Sequence, residues 1–124
     1  MIGELRSIFV QFYNSKTNRM ETKKRPALVI AQADCQDYVI LPVSTISRKQ
    51  NIDSIYDIEI DPLIFPKSNL KQISYVRTHK QQYANRAQID TMIGDIKTNY
   101  PDLYLEIIEK RENFSSSITD QALS

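Results

Sequence analysis

An apolar run that follows a proline and a cluster of cations constrains the fold of this chain more than any other stretch. Lys23, Lys24 and Arg25 precede Pro26, and residues 27–31 (Ala-Leu-Val-Ile-Ala) are all apolar. A run that is apolar at consecutive positions predicts a strand buried on both faces. Because Pro26 has no backbone N–H, it suits the first residue of that strand. Arg25 is then expected at the mouth of a rigid core strand, where a side chain can contact a charged ligand. A basic turn before a core strand explains the same pattern without any ligand.

The first two thirds of the chain carry the pattern of short strands separated by polar turns. Glu4 to Tyr13 alternates, with Ile8, Val10 and Phe12 on one face. Further strands are predicted at 26–31, 38–43, 56–61 and 73–78. Residues 14–24 are interpreted as a long, mobile hairpin loop, residues 34–37 as a turn, and residues 44–51 and 62–69 as connections.

Two alternating stretches allow a more specific expectation. Pro42 should end the strand at 38–43 or confine it to an edge, because proline cannot donate to a ladder. In the strand at 56–61, Tyr56, Ile58 and Ile60 should face inward, so that Asp57, Glu59 and Asp61 form a solvated acidic row.

The period changes near residue 85 and predicts two C-terminal helices. Helical spacing relates Ile89, Met92, Ile93 and Ile96, and a second stripe is formed by Tyr104, Ile107, Ile108 and Phe114. Asn99 and Pro101 mark a break between the helices. The fold class is therefore mainly β with C-terminal helices (α+β), as a small antiparallel barrel or sheet with helices on one side. One domain is expected over 1–114, followed by a polar, frayed tail over 115–124.

Composition narrows the function by exclusion. The chain has 124 residues, one His, one Cys and two Gly. That inventory offers no zinc-ligand cluster, no P-loop and no dinucleotide fingerprint, so no metal or organic cofactor is expected. No stretch is apolar enough to span a bilayer, and a cytoplasmic protein without a membrane partner is expected.

Charge is distributed unevenly along the chain. Residues 1–86 carry 13 Lys/Arg and 8 Asp/Glu, whereas residues 87–124 carry 3 and 7. A basic front and an acidic tail suggest a polyanion as the partner of the front. The basic loops also carry hydroxyls and are interspersed with aromatics, a combination that suits phosphate backbone and unpaired bases. Candidate contacts are Lys24, Arg25, Ser44, Thr45, Arg48, Lys49, Arg77, His79 and Lys80.

Several of these motifs occur together in a known family. Gly3 followed by a strand, then Lys24-Arg25-Pro26-Ala27-Leu28-Val29-Ile30, then Leu41-Pro42-Val43-Ser44-Thr45, resembles the MazF/PemK toxins of type II toxin–antitoxin systems. The strand Ile73-Ser74-Tyr75-Val76-Arg77 is similar to a later element of that family, and the resemblance covers roughly residues 2–112.

The resemblance implies an SH3-like barrel of the MazF/CcdB type that forms a homodimer. It implies a metal-independent, sequence-specific endoribonuclease that cuts single-stranded RNA and is neutralised by a cognate antitoxin. The family's catalytic arginine and hydroxyl map to Arg25 and Ser44, with Thr45 as the adjacent candidate. Lys24, Arg48, Lys49, Arg77, His79 and Lys80 are then expected to contact RNA.

The implied chemistry is sound for these side chains. RNA can be cut by its own 2′-hydroxyl, provided that the protein aligns the attack and stabilises the charge that develops on the phosphoryl oxygens. Arg25 suits the second task because its planar fork donates to two oxygens at once. Ser44 or Thr45 can orient or relay the proton, and His79 is the one side chain whose unperturbed pKa is near neutrality, although a surface or structural role is favoured for a lone histidine.

A second class of function fits the same fold. Toxins such as CcdB share the architecture but act by binding gyrase, so a non-catalytic binding module is the alternative. The presence of both the Arg-Pro strand and the Pro-Val-Ser-Thr segment favours the enzyme.

Overall fold

The computed structural model describes all residues from 1 to 124, and the protein is mainly β with a C-terminal helix. Its seven strands are β1 (Glu4–Asn14), β2 (Arg19–Gln32), β3 (Asp37–Ser44), β4 (Asp57–Ile60), β5 (Ser74–Arg77), β6 (Gln82–Asn85) and β7 (Ile89–Asp95). Two helices follow, the single turn α1 (Ile96–Asn99) and the long α2 (Pro101–Leu123). No helix is both long enough and apolar enough to cross a membrane.

The strands form one curled antiparallel sheet. Six of them are ordered β4-β5-β3-β2-β1-β7, and β6 pairs with β3. Because β2 occupies one edge of β3, β5 and β6 share the other edge, β5 beside Val43 and Ser44 and β6 beside residues 37–40. Residues 78–81 connect β5 to β6 along that edge.

The strand at the centre of the sheet is buried on both faces, as the apolar run predicts. Ala27, Leu28 and Val29 are each 0% exposed. Ala27 and Val29 pack into a smaller core with Ile8, Ile40, Ala84 and Ile89, while Leu28 packs into a larger core. The larger core lies on the other face and contains Leu5, Leu41, Val43, Ile58, Ile60, Val76, Ile96, Leu103 and Ile107.

The predicted loop at 14–24 is largely strand. β2 begins at Arg19 and pairs with β1 from Arg19↔Asn14 through Leu28↔Leu5. Only residues 15–18 turn, with Asn18 in the left-handed region at φ 54°. β1 pairs with β7 only as far as Ile8, and β2 pairs with β3 only from Ala27 onward. Residues 9–26 therefore project from the sheet as a two-stranded ribbon.

Both prolines of the central strands lie inside strands. Pro26 is not the first residue of β2; it lies one position before the first β2–β3 pair, Ala27↔Pro42. Pro42 does not end β3, which continues to Ser44 and pairs there with β5. The end of the β2–β3 ladder falls at these two residues, so missing N–H groups are tolerated there.

The first predicted helix is wrong, because residues 89–95 form strand β7. Its pairing with β1 shifts register between Leu5 and Arg6 and again between Arg6 and Ile8. Ile89 packs into the smaller core, Met92 is exposed, and Ile93 packs against the larger core, so these residues have helical spacing without sharing a face.

The second predicted helix is confirmed. α2 begins with Pro101 at its first position, as the break at residues 99–101 predicts. The backbone of residues 115–123, expected to be a frayed tail, continues α2 instead, although most of these side chains are exposed.

Candidate nucleic-acid interface

Arg25 and Ser44 lie two residues beyond the last pair of the β2–β3 ladder, Ala27↔Pro42. Alternate residues of a strand share a face, and so do direct cross-strand partners. Arg25 shares the face of Ala27, whose partner is Pro42, and Ser44 follows Pro42 by two positions. Extending the register by two residues places Ser44 opposite Arg25. Both residues line the same two adjoining clefts.

The larger of these, here the main cleft, has a volume of about 600 Å³. One wall is the ribbon, with Val10, Phe12 and Lys23, and the opposite side carries Arg77, Lys80 and Gln82. Lys23 and Arg25 lie on the same face because their partners are Val10 and Ile8. The prediction that Ile8, Val10 and Phe12 share one face is confirmed. This face extends from the smaller core into the main cleft.

The main cleft is strongly basic. Its lining includes the cations Lys23, Arg25, Arg77 and Lys80 and no carboxylate. Of these four, only Arg77 has an acidic partner, Asp57, at 3.2 Å from Nε to Oδ1. A concave surface lined by one sign of charge concentrates the field and attracts an anion.

A second, smaller cleft continues past Arg25 and Ser44. This side cleft measures about 360 Å³ and adds Lys24, Thr45 and Lys71 to the shared residues, again without a carboxylate in its lining. Lys24 is paired with Asp90 on β7, with Nζ 2.8 Å from Oδ2. That contact holds the pKa of Asp90 below its usual value. Together the two clefts form a basic groove across the point where the pairing of β2 with β3 ends.

Ser44 and Thr45 differ in their position relative to β3 and to the two clefts. Ser44 lines both clefts and pairs with Tyr75 on β5, which gives it a defined backbone. Thr45 lies beyond the end of β3, on the opposite alternation, and lines the side cleft alone. This arrangement favours Ser44 as the hydroxyl that accompanies Arg25.

Arg77 and Lys80 are positioned by a well-anchored connection. Thr78 is 1% exposed, and its hydroxyl donates to the Tyr56 carbonyl at 2.6 Å. Arg111 of α2 donates to the Gln81 side chain at 2.7 Å. The segment between β5 and β6 is thus fixed from both sides.

Asp57 is not part of a solvated acidic row. It is the direct cross-strand partner of Arg77, and its side chain is fully buried. Glu59, two positions later on the same face, is exposed as expected and accepts a hydrogen bond from Tyr75 at 3.3 Å. Asp57 differs from Glu59 in exposure because Arg77 and His79 cover its side chain.

His79 lies outside both clefts. Its side chain is 10% exposed and packs against Tyr56 and Phe114, with ring centroids 5.9 and 6.1 Å away. Its Nδ1 is buried without a hydrogen bond, 3.8 Å from Asp57. Burial lowers the pKa of His79 and outweighs the attraction of Asp57.

The remaining predicted contacts lie apart from the groove. Arg48 and Lys49 are exposed on the segment after β3 and line neither cleft. The groove residues that were not predicted as contacts include Lys23, Lys71 and Gln82. Lys23 carries a usable signal, because it precedes Arg25 by two positions and a strand would place both on one face. Lys71 and Gln82 carry none.

No group of three or more His, Cys, Asp or Glu side chains is arranged to hold a metal ion. A scan of the chain against protein-family models finds no match, and a search of the curated proteins finds none either.

Proposed function

We propose that this chain is a cytoplasmic toxin of the MazF/PemK type, with the SH3-like barrel of that family, which cleaves single-stranded RNA without a metal ion. The observation that carries the proposal is the convergence of Arg25 and Ser44, from separate segments, in a groove lined by cations and free of carboxylates. A phosphodiester strand matches such a groove in charge.

In the proposed reaction the 2′-oxygen of the substrate attacks the adjacent phosphorus, and the bond from phosphorus to the 5′-oxygen breaks. The products are a 2′,3′-cyclic phosphate and a 5′-hydroxyl. Arg25 donates to the phosphoryl oxygens as their charge grows, and it has no carboxylate partner to compete for its guanidinium.

Arginine is a poor base because it stays protonated. The 2′-hydroxyl donates a hydrogen bond to the Ser44 hydroxyl oxygen, and its proton moves to that oxygen during the attack. Ser44 releases its own proton to water at the same time, and water protonates the departing 5′-oxygen. Direct transfer to His79 is disfavoured, since its ring lies outside both clefts.

The test is incubation of the purified chain with single-stranded RNA in excess chelator. We expect cleavage with products that end in a 2′,3′-cyclic phosphate, and no cleavage at a site whose 2′-hydroxyl is replaced by hydrogen. Cutting of the 2′-deoxy substrate, or loss of activity with chelator, contradicts the mechanism. Binding of RNA without any cleavage would instead indicate the non-catalytic binding module.

The proposal includes a homodimer and a cognate antitoxin. A symmetric pair would place two basic grooves on one assembly and lengthen the track for a single strand. An acidic antitoxin segment that folds on binding would compete with RNA for the same cations. Light scattering should report a mass near twice 14.4 kDa, and a monomeric mass at full activity contradicts the shared track.

A further inference from the structure

The main cleft contains features that a phosphate site does not require. We propose that it holds a subsite for one unpaired base, in which Phe12 provides the stacking surface and Gln82 reads the base edge. The inference rests on the proposed function and deepens it, because it names the groups that select the RNA sequence.

Phe12 lies on the projecting part of the ribbon, where no core needs filling. It belongs to neither core cluster, yet it is half-buried on the cleft face in register with Ile8 and Val10. The Nζ of Lys23 lies 4.2 Å from the centroid of its ring. The ammonium lies over one face of the ring, so a base stacks in its place or on the opposite face, and the cation contacts phosphate.

Gln82 stands on the opposite wall and on the same face. Its cross-strand partner is Ile40, whose partner in β2 is Val29, which shares the face of Arg25. The side chain is exposed and makes no hydrogen bond within the chain. The neighbouring Gln81 differs, because its side-chain oxygen accepts a hydrogen bond from Arg111 at 2.7 Å. The side-chain amide of Gln82 has no such partner.

Two further glutamines line the main cleft, Gln11 on the ribbon and Gln88, and Gln88 is already engaged. The Oε1 of Gln88 accepts the Asn85 N–H at 2.9 Å, and its Nε2 donates to the Phe9 carbonyl at 3.4 Å. Gln82 therefore offers the uncommitted amide of this wall, with a donor and an acceptor side by side.

An amide among cations has a distinct use. Lysine and arginine contacts to phosphate position a strand but do not distinguish one base from another. A glutamine amide makes paired hydrogen bonds to a base edge that presents a donor beside an acceptor. Three interstrand spacings separate β1 from β6, about 14 Å along the sheet, so one base can lie between the walls while its phosphate reaches Arg25.

The experiment digests a short RNA library of random sequence and maps the cut sites. The wild-type chain is compared with Gln82→Ala and with the control Gln36→Ala, a glutamine in the exposed turn between β2 and β3 that lines neither cleft. We expect Gln82→Ala to reduce the base preference at one position near the cut by roughly 5- to 150-fold, the range of one paired base contact. Gln36→Ala should keep the wild-type preference.

A binding measurement covers variants that no longer cut. Fluorescence anisotropy with 2′-O-methyl oligonucleotides, which lack the nucleophile, is expected to show weaker binding for Phe12→Ala, with Phe12→Tyr close to wild type because the ring is retained. An unchanged base preference in Gln82→Ala, or equal affinity of Phe12→Ala and wild type, overturns the subsite and leaves the proposed function standing. A wild-type chain that neither cuts nor binds RNA overturns both.

Discussion

At the scale of single residues, the least expected feature is the buried cluster behind the main cleft. The Asp57 side chain is 0% exposed and contacts Arg77 at 3.2 Å and His79 at 3.8 Å. Tyr56 and Phe114 enclose the same histidine, and the Phe114 ring centroid lies 5.0 Å from that of Tyr56. The cluster fastens α2 to the connection that carries Arg77 and Lys80 into the cleft.

The burial of His79 predicts a pH dependence of stability. Burial lowers the pKa of His79 below its ordinary 6.5, so the unfolded chain binds a proton at this site before the folded chain does. The free energy of unfolding should therefore fall as pH drops below about 6.5. The groups that face the ring, Asp57, Asp53, Arg77 and Lys80, partly offset one another.

Urea unfolding between pH 7.5 and 5 measures this effect. His79→Gln, which cannot take up a proton, should show a shallower dependence than the wild type over that range. Asp34, Asp53 and Asp90 have pKa values lowered from an ordinary 3.8 and do not titrate there. Identical slopes for the two proteins would exclude His79 as the source.

Some residue-level features were within reach of the sequence and others were not. Arg25 was singled out because it directly precedes the apolar run of residues 27–31, and Ser44 because it follows the strand predicted at 38–43 and matches the hydroxyl of the family motif. The pairing of Arg77 with Asp57 depends on which strands are neighbours and in which register, Asp57↔Arg77, and alternation within one strand does not contain that information.

At the scale of elements, β7 depends on a close approach to the turn at residues 66–68. A Cβ on Gly94 would lie 2.7 Å from the Ser68 carbonyl oxygen and 2.8 Å from that of Lys67. The Asn69 amide donates to the Ile93 carbonyl at 2.7 Å in the same place. Glycine is required here because backbone, not a flexible side chain, occupies the space.

Gly94→Ala should accordingly destabilise the protein by about 1–3 kcal/mol, the usual cost of forcing extra atoms into a packed site. Thr91→Ala, an exposed position on the same strand, is the matched control and should change stability by less than about 0.5 kcal/mol. Equal midpoints in urea for Gly94→Ala and wild type would mean that the two segments separate freely.

The element predictions succeeded where burial sets the pattern. β2 has consecutive buried residues, and in β4 the buried Ile58 and Ile60 alternate with less buried residues, so both strands were predictable. The β2 arm of the ribbon was missed because its residues from Arg19 to Arg25 are polar except for Met20 and are held by pairing with β1. β6 was missed because it has four residues, of which only Ala84 is buried.

At the scale of the whole molecule, the sheet separates two environments. One face supports the larger core and α2, and the other runs from the smaller core into the basic groove. The excess of cations before residue 87 and of carboxylates after it corresponds to this division in part, since α2 contains five Asp/Glu and two Lys/Arg. The polyanion that we propose as a partner would bind at the basic groove.

This assignment predicts which cations contribute to the salt dependence of RNA binding. Neutralising Lys23 and Lys80 together, both in the main cleft, should flatten the slope of log affinity against log salt by about 1.4, at ~0.7 per phosphate on a single strand. Neutralising Arg48 and Lys49, which line neither cleft, should leave the slope unchanged. A flattened slope for the second pair alone would move the interface to residues 45–51.

The most direct test of the central claim is the rate of RNA cleavage by Arg25→Ala in the presence of chelator. Arg25 is exposed at the junction of the two clefts, and loss of one well-placed donor typically slows a reaction by roughly 100- to 1,000-fold. Arg25→Lys should recover little of the rate, because an ammonium group lacks the planar fork.

Arg19→Ala is the matched control, an exposed arginine on the same strand that lines neither cleft. The account predicts a rate near wild type for Arg19→Ala and a rate lower by two to three orders of magnitude for a folded Arg25→Ala protein. Cleavage by folded Arg25→Ala at the wild-type rate would contradict it.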